Sequence, residues 1–396
     1  MRVLSVTAQK PCSTGSGVYL TEVVRSLAKM GVSQAVVAGV TREDRVDMPE
    51  GVTVYPVYFS SEKLPYPIVG MSDEMPYTST RYRDMTEEMA GQFKVAFLEV
   101  LDEAIEKENP DIILCHHLYY LTALIRAHYP AKKVYGFCHN TDLRQMESIL
   151  FERNFIRQEI PKLDRIFALQ EAQKEKIKKI YPVSGKQMTV IGTGYNSEVF
   201  KKTGIKLSRK DGKIRMIFAG KITQKKGVKS LLRALNLLDY EKEKIQLILA
   251  GGAGNLVEYE EIKELADGCR YPVVFAGCVT QSRLAELYND CDIFVLPSMY
   301  EGLPLTVIES LACGDRVVMT KLEGIAEWLA DMVPDADIRY VLPPGMKGTD
   351  EPLEEELPAF ESRLAEALRE AIEEKDTKEC DVSRISWKKI AREVIR

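Results

Sequence analysis

Two glutamates stand eight positions apart near the end of a predicted strand, loop and helix. Glu301 and Glu309 lie in the stretch from Ile293 to Gly314, where an apolar run is followed by a glycine and proline turn. Carboxylates accept hydrogen bonds from hydroxyl groups, so the pair could hold a ribose at one end and a hexose at the other. Eight residues span about 12 Å if they are helical throughout, which matches the length of a molecule that carries a ribose at one end and a hexose at the other. Taken singly, each glutamate also fits a solvated helix surface.

The residues between the glutamates form the predicted start of that helix. Gly302 permits a close approach of the backbone, and Pro304 suits a first helical turn. The free N–H groups of Leu305 and Thr306 would then point at an anion. Together with Leu303, these residues predict a binding site for the diphosphate of a donor.

A pair of lysines follows another predicted strand end. The turn begins at Gly220 and Lys221 and closes at Lys226 and Gly227. Fixed cations at this place would neutralise the charge that grows on a departing nucleoside diphosphate. A cluster of solvated lysines is the alternative interpretation. Beside the two glutamates, we expect Lys221 and Lys226 to be catalytic, together with Glu301.

A glycine loop follows the first predicted strand. Gly15 and Gly17 would let backbone amides approach a phosphate and are candidates for donor binding. The loop fails as a dinucleotide fingerprint because Leu20 stands where G-x-G-x-x-G requires glycine, and the sequence has no Walker A pattern. A glycine loop by itself is therefore weak evidence.

Three of the 4 histidines follow predicted strand ends in the first half of the chain. His139 could hydrogen-bond a sugar hydroxyl or the reacting oxygen, and we expect it to be catalytic. A metal site built from His116, His117, Cys138 and His139 is the alternative, but these residues lack the usual zinc spacings. A partly buried histidine with satisfied hydrogen bonds is the third interpretation.

The segment from Pro65 to Tyr77 is too apolar and too rich in proline for a routine solvated loop. It could form a lid or a wall for an acceptor. Packing under the long helix that follows is the alternative. The candidates for acceptor contact are Asp73, Tyr77, His117, Tyr119 and Arg144.

Short apolar, β-branched runs alternate with helical patterns along the whole chain, which is typical of an α/β fold with parallel sheets covered by helices. The pattern pauses between Gly192 and Gly212 and restarts at Ile214, so the 396 residues divide into two domains. Strands are predicted near 2–6, 34–40, 112–115, 134–137, 165–168, 188–191, 214–219, 246–250, 273–276, 293–296 and 316–319. Ligands of such sheets bind at the carboxyl ends of the strands.

Composition narrows the choice of partners. The formal net charge is -5 and neither half of the chain has a basic excess, which argues against nucleic acid. The 8 cysteines form no C-x-x-C pair and are expected to be reduced. Without a signal-like start or an apolar run of about 18 residues, we expect a cytoplasmic protein with no membrane span. A peripheral contact with a membrane stays open.

Taken together, these stretches resemble the retaining GT-B glycosyltransferases of family 4 over essentially the whole chain. The most specific match is the family's E-x7-E pattern, which Glu301 and Glu309 carry. The family's G-R/K-x4-K-G pattern falls on residues 220–227, where Lys221 replaces the commoner arginine and loses its bidentate fork. The family's glycine loop and first-domain histidine correspond to residues 15–17 and His139.

This resemblance implies a GT-B fold, in which two Rossmann-like domains face each other across a deep cleft. Residues 1–195 would form the acceptor-binding domain, with a C-terminal helix at 385–396 packing back on it. Residues 196–384 would bind the nucleotide-sugar. There Glu301 would contact the donor sugar, Glu309 the ribose and the lysines the diphosphate.

The implied activity moves a hexose-type sugar from a UDP-, GDP- or ADP-linked donor to an acceptor hydroxyl with retained anomeric configuration. The donor's own phosphate oxygen would take the acceptor proton, and neither a metal nor another cofactor is required. The acceptor could be a glycan, a small molecule or a lipid-linked sugar. The Asp290-Cys-Asp292 triplet imitates a D-x-D metal motif, but we expect it to end a helix.

Other functions on the same fold stay open. A glycan phosphorylase would use phosphate as the acceptor, and a nucleotide-sugar epimerase shares the cleft. A catalytically silent sensor of nucleotide-sugars is the alternative that is not an enzyme. A nicotinamide oxidoreductase is disfavoured because the glycine fingerprint is absent.

Overall fold

The computed structural model describes residues 1–396 except 12, 74, 205, 207–210, 254, 349–350 and 375–379. Cys12 and part of the predicted polar crossover at Ser208–Gly212 therefore lie outside the described residues. Contacts divide the chain into two compact units. The first unit contains Met1–Gly194 and Trp387–Arg396, and the second unit contains Tyr195–Ser386.

The first unit is built on a parallel sheet. Its strands are β1 (Arg2–Thr7), β2 (Ser33–Val40), β3 (Thr53–Tyr58), β4 (Val69–Gly70), β5 (Thr80–Arg81), β6 (Ile112–His116), β7 (Val134–Phe137), β8 (Arg165–Ala168) and β9 (Met188–Val190). Its helices are α1 (Gly15–Lys29), α2 (Glu87–Glu108), α3 (Tyr120–His128), α4 (Thr141–Ser148), α5 (Arg153–Glu159) and α6 (Glu171–Ile180). The main sheet has the order β3-β2-β1-β6-β7-β8-β9, and β4 pairs with β5 separately.

The strand order of this sheet reverses between β1 and β6. The chain moves outward from β1 to β2 and β3, and then restarts on the other side of β1. Every residue of β6 is buried, as expected for a strand covered by helices on both faces. In open parallel sheets, the crevice at such a reversal is where ligands bind. We call the loops at the carboxyl ends of β1 and β6 the first crevice.

The second unit repeats this plan. Its strands are β10 (Ile214–Ala219), β11 (Ile245–Ala250), β12 (Val273–Gly277), β13 (Ile293–Leu296), β14 (Arg316–Thr320), β15 (Ile338–Val341), β16 (Met346–Lys347) and β17 (Glu351–Pro352). Its helices are α7 (Val228–Asn236), α8 (Leu256–Asp267), α9 (Gln281–Asp290), α10 (Leu305–Cys313), α11 (Ile325–Met332) and α12 (Leu357–Glu373). The parallel sheet has the order β12-β11-β10-β13-β14-β15, so the reversal falls between β10 and β13. The loops at the carboxyl ends of these two strands form the second crevice.

The last helix, α13 (Trp387–Val394), belongs to the first unit, where it packs on α1. Its apolar residues Trp387, Ile390 and Val394 are buried, as their spacing predicts. Gly194 lies so close to Trp387 that a Cβ at this glycine would be 2.4 Å from the indole ring. The close contact therefore requires glycine where the chain leaves the first unit.

The described cysteines, from Cys115 to Cys380, are free thiols, as their scattered positions predict. Among the helices that the structure describes, none combines the length and apolarity needed to cross a bilayer.

Candidate active site

Close backbone contacts shape the second crevice. Gly251 follows β11 with a φ of 148°, and a Cβ at this position would be 1.7 Å from the carbonyl oxygen of Gly220. Gly227 has a φ of 74°, and its Cβ would be 2.1 Å from the carbonyl oxygen of Pro297. Only glycine fits at both positions. These contacts bring the loop after β10 against the loops after β11 and β13.

The two predicted motifs meet in this crevice. The ammonium of Lys226 lies 2.6 Å from Oε1 of Glu301 and 3.5 Å from the carbonyl oxygen of Tyr300. Both side chains are partly buried, so solvent screens the ion pair less than it would on an open surface. Lys221 stands at the start of the same loop and is also partly buried. The structure thus places a cation beside the carboxylate predicted to contact the donor sugar.

The motif that contains Glu301 and Glu309 continues into α10, which begins at Leu305, one residue after Pro304. Pro304 is the N-cap residue, with a φ of −74° and no side-chain cap hydrogen bond. Leu305 and Thr306 open the helix and are half-buried, which leaves them accessible to an anion. Residues 301–304 are not helical, so the 12 Å estimate for the distance between the glutamates was based on the wrong geometry.

Glu309 lies inside α10 and is only 6% exposed. Burial, followed by the charge of Glu309, raises the pKa of Tyr288 well above its ordinary value, which places this tyrosine close to the carboxylate. A ligand would reach Glu309 through the small exposed part of its side chain. The predicted contact with a ribose therefore requires the ligand to enter deeply into the second crevice.

The first crevice contains the glycine loop and His117. Nε2 of His117 lies 3.1 Å from Oγ of Ser16 and 3.3 Å from Nε2 of Gln9. His117 adopts a φ of 75°, a conformation that is uncommon for residues other than glycine and clusters at functional sites. Gly17 donates its N–H to Oγ1 of Thr14, which caps α1. This bond occupies one of the amides predicted to approach a phosphate.

Gly15 opens α1 in the same loop. A Cβ at this position would meet nothing within 4 Å, so the local packing does not demand glycine there. The conformational requirement that explains Gly227 and Gly251 does not extend to Gly15. Its predicted contact with the donor stays a prediction.

A second histidine contact lies beside the first. Nδ1 of His116 and Nε2 of His139 are 3.0 Å apart. Burial and the neighbouring His139 hold the pKa of His116 well below its ordinary value, and burial lowers the pKa of His139 to about 3. Both rings are therefore neutral at pH 7. The Oδ atoms of Asp142 accept hydrogen bonds from the backbone N–H groups of His139 and Leu118, which fixes the loop after β7.

The candidates for acceptor contact fall into two groups. His117 and Tyr119 line a small cavity with His116, Met71 and Tyr82, with room for about one water molecule. Tyr119 is buried, and its hydroxyl has no hydrogen-bond partner among the described residues. Arg144 is buried on α4.

The other two candidates lie in the proline-rich segment. Asp73 forms a 2.6 Å ion pair with Arg83, and the ammonium of Lys10 lies 4.9 Å from the ring centroid of Tyr77. Much of the segment is core: Tyr66, Ile68, Val69 and Met71 are buried in the first unit. The hydroxyl of Tyr66 donates to the carbonyl oxygen of Met89 on α2. Packing under the long helix therefore describes most of this segment.

The metal alternative requires His116, His117, Cys138 and His139 to gather around one ion. Across the described residues, no group of three or more histidine, cysteine or acidic side chains is arranged to hold a metal ion. The Asp290-Cys-Asp292 triplet ends α9, as expected. Asp292 accepts the backbone N–H of Arg215, and Asp290 pairs with the guanidinium of the same arginine. The triplet precedes β13 and so lies at the opposite edge of the sheet from the second crevice.

Some residues of the two crevices have no distinctive sequence pattern. Gln9 and Ser16 lie in the glycine loop, but nothing in their spacing predicts contact with His117. The sequence indicates His116 only as a possible metal ligand. Gly251 offers a usable signal, because a glycine directly after a buried strand often marks a close backbone approach.

Two family models together match most of the chain. The model described as Glycosyltransferase Family 4 matches residues 13–199, and the model described as Glycosyl transferases group 1 matches residues 200–379. The chain belongs to glycosyltransferase family 4. This membership confirms the resemblance read from residues 220–227, 301 and 309.

Curated relatives match over part of their length. An uncharacterized glycosyltransferase of Methanocaldococcus jannaschii is 28% identical over 172 residues, which cover 41% of this chain and 44% of the relative. The alpha-maltose-1-phosphate synthase of Mycobacterium tuberculosis is 24% identical over 253 residues, which cover 58% of this chain and 61% of the relative. The chain thus spans roughly half the length of these relatives.

Solved structures match over the full length. A sucrose-phosphate synthase from Thermosynechococcus elongatus has a TM-score of 0.71 at 15% identity, covering 100% of this chain and 97% of that one. The HepE protein of Anabaena, solved with UDP and glucose, has a TM-score of 0.64 at 15% identity, covering 100% and 98%. These likenesses confirm the predicted GT-B fold of two Rossmann-like domains.

Proposed function

We propose that this protein transfers a hexose-type sugar from a UDP-, GDP- or ADP-linked donor to an acceptor hydroxyl with retention of anomeric configuration. The observation that carries the proposal is the ion pair of Lys226 and Glu301 in the second crevice, directly before the N-terminus of α10. A cation, a hydroxyl-binding carboxylate and free helix amides are the groups that a sugar diphosphate requires.

In this proposal the second unit binds the donor. The N–H groups of Leu305 and Thr306 and the ammonium groups of Lys221 and Lys226 hold the diphosphate. Glu301 accepts hydrogen bonds from the sugar, and Glu309 from the ribose. Gly220 and Gly302 let the backbone approach the ligand.

The chemical step needs a stabilised leaving group. The bond between the anomeric carbon and the diphosphate oxygen breaks, and the acceptor oxygen bonds to the same face of that carbon. The acceptor proton passes to an oxygen of the departing phosphate. Lys221, Lys226 and the start of α10 stabilise the negative charge, so no metal is required.

We place the acceptor on the first unit. His139 hydrogen-bonds a reacting or neighbouring hydroxyl, and His117, Tyr119 and Arg144 lie on the strand and helix ends around it. The acceptor is a hydroxyl compound such as a glycan, a small molecule or a lipid-linked sugar. An acceptor screen with these classes identifies the substrate. Asp73→Asn should then weaken use of that acceptor and leave nucleotide affinity intact, whereas an equal loss of both would indicate destabilisation of the fold. Asp84→Asn, which breaks the exposed pair with Arg81, is the matched control.

Two measurements test the proposal. A thermal-shift panel of UDP, GDP, ADP and their sugar forms should show stabilisation by one base, because a ligand at 100 times its dissociation constant adds about 2.7 kcal/mol. The anomeric configuration of the product, measured by NMR, should equal that of the donor. Inversion, or a demand for inorganic phosphate as acceptor, would contradict the proposal.

A further inference from the structure

A hydrogen bond beside the first crevice joins two imidazoles, one at the end of β6 and the other in the loop after β7. Nδ1 of His116 and Nε2 of His139 are 3.0 Å apart, the ring planes differ by 12°, and the ring centroids are 5.2 Å apart. The 3.0 Å distance between the two nitrogens plus the radii of the two rings nearly equals the 5.2 Å between the ring centroids, so the rings meet edge to edge. The bond therefore lies close to both ring planes.

The direction of this bond follows from the remaining nitrogen of His116. Nε2 of His116 is buried and has no hydrogen-bond partner among the described residues. If His139 were the donor, the proton of His116 would be on this Nε2, where no described residue accepts it and only a water in the small cavity that His116 also lines could do so. Among backbone groups, buried N–H donors without a partner are rarer than buried acceptors without one, and the same desolvation cost applies to a ring N–H. This cost favours a bond from Nδ1–H of His116 to Nε2 of His139.

We infer that His116 is a positioning residue that fixes His139 in its Nδ1–H tautomer. In this form His139 offers a substrate a hydrogen-bond donor at Nδ1, while Nε2 is already occupied. His139 therefore donates to a hydroxyl oxygen and does not act as a general base. The inference rests on the proposed function only for the identity of the substrate, and the tautomer is a property of the free protein.

The surroundings hold His116 in place for this role. Its ring stacks on Phe137, with centroids 4.8 Å apart and planes 17° apart. It is 4% exposed, whereas His139 is half-buried and can meet a ligand. A buried ring thus orients the more accessible one.

The test is a two-bond ¹⁵N–¹H correlation spectrum of the histidine rings. The chain has only 4 histidines, so substitution assigns each ring directly. In the wild type, His139 should show a protonated Nδ1 and an unprotonated Nε2. A protonated Nε2 would overturn the inference, whatever the enzyme transfers.

Two variants separate positioning from packing. His116→Asn keeps an N–H donor, because its amide nitrogen is attached to Cγ as Nδ1 is, so the tautomer of His139 should be preserved. His116→Phe keeps the stacked ring but removes the donor, so His139 should shift toward the Nε2–H form. An unchanged tautomer in His116→Phe would refute the role of His116.

Turnover gives a second readout, measured as release of nucleoside diphosphate from UDP-glucose, GDP-mannose and ADP-glucose. Loss of one hydrogen bond in His116→Phe should lower kcat by between about twofold and tenfold with an unchanged donor KM, and His116→Asn should restore it. Equal losses in both variants would indicate packing and contradict the inference. His128→Phe is the control, because His128 is exposed on α3. If none of the donors reacts in the wild type, the proposed function fails while the spectra still decide the tautomer.

Discussion

The ammonium of Lys226 and the carboxylate of Glu301 are 2.6 Å apart, although 75 residues separate them in the sequence. Each follows one of the two strands between which the order of the second sheet reverses. The fold thus joins the cation that we propose stabilises the leaving group and the carboxylate that we propose binds the sugar, at the place where parallel sheets bind ligands. Removing either residue also changes the environment of the other.

Lys226→Ala should lower turnover by roughly a hundredfold or more, because a preorganised cation acts mainly on charge that develops in the transition state. Donor affinity should fall less, and Glu301 loses its partner. The control is Lys229→Ala, which breaks a pair of the same length with Glu261 on α8. Steady-state kinetics of both variants provide the comparison. Equal turnover in the two variants would contradict the role of Lys226.

Glu309→Gln should chiefly raise the donor KM. A ribose contact is made equally in the ground state and the transition state, so its loss weakens binding without slowing the chemical step. Glu361→Gln is the control, because Glu361 is similarly buried but contacts Ser230 and Arg233 on α7. A fall in kcat with an unchanged KM would show that Glu309 acts on the reaction itself.

Transfer should continue undiminished in EDTA. In the proposed mechanism, Lys221, Lys226 and the start of α10 stabilise the charge of the leaving group. The measurement is the initial rate before and after chelation, followed by addition of magnesium or manganese. Activity that EDTA abolishes and a metal restores would show that the lysines do not suffice.

The protein should lose stability in mild acid through its buried histidines. Burial lowers the pKa of His116 and His117, so below about pH 6.5 the unfolded chain binds protons that the folded chain refuses. Each such ring removes about 1.4 kcal/mol of stability per pH unit below that value, and none above it. His116→Phe should therefore reduce the slope of unfolding free energy against pH, measured by urea unfolding below about pH 6.5, by about 1.4 kcal/mol per pH unit. Parallel profiles for the wild type and His116→Phe would contradict the buried, neutral state.

The sequence predicted the strands near the centres of the sheets well. The run at Ile293–Leu296 is apolar and buried throughout, as expected for a strand with both faces covered, and Ile214–Ala219 is apolar except for Arg215. The bounds of both strands agree with the structure. The edge strands β3 and β15 have weaker patterns and were not predicted. β3 contains Pro56, which a sheet edge tolerates, and β15 is only partly buried.

Sequence patterns indicated some of the candidate site residues, whereas contacts that depend on the tertiary fold left no signal in the sequence. Spacing and local sequence context indicated Lys226, Glu301 and Glu309 as candidates, and the structure brings Lys226 and Glu301 together. No periodicity relates His116 to His139, because their contact arises from β6 and β7 lying side by side. The helix start at Leu305 differs by one residue from the prediction, since the N-cap position depends on the backbone before it.

The most direct test of the account is calorimetric titration of UDP, GDP and ADP into the wild type, Glu309→Ala and His139→Ala. The second unit is assigned the nucleotide, so one of the three should bind to the wild type and to His139→Ala with equal affinity. Glu309→Ala should bind it more weakly, since ribose hydrogen bonds are lost. If His139→Ala loses the nucleotide while Glu309→Ala keeps it, the assignment of the nucleotide to the second crevice is wrong.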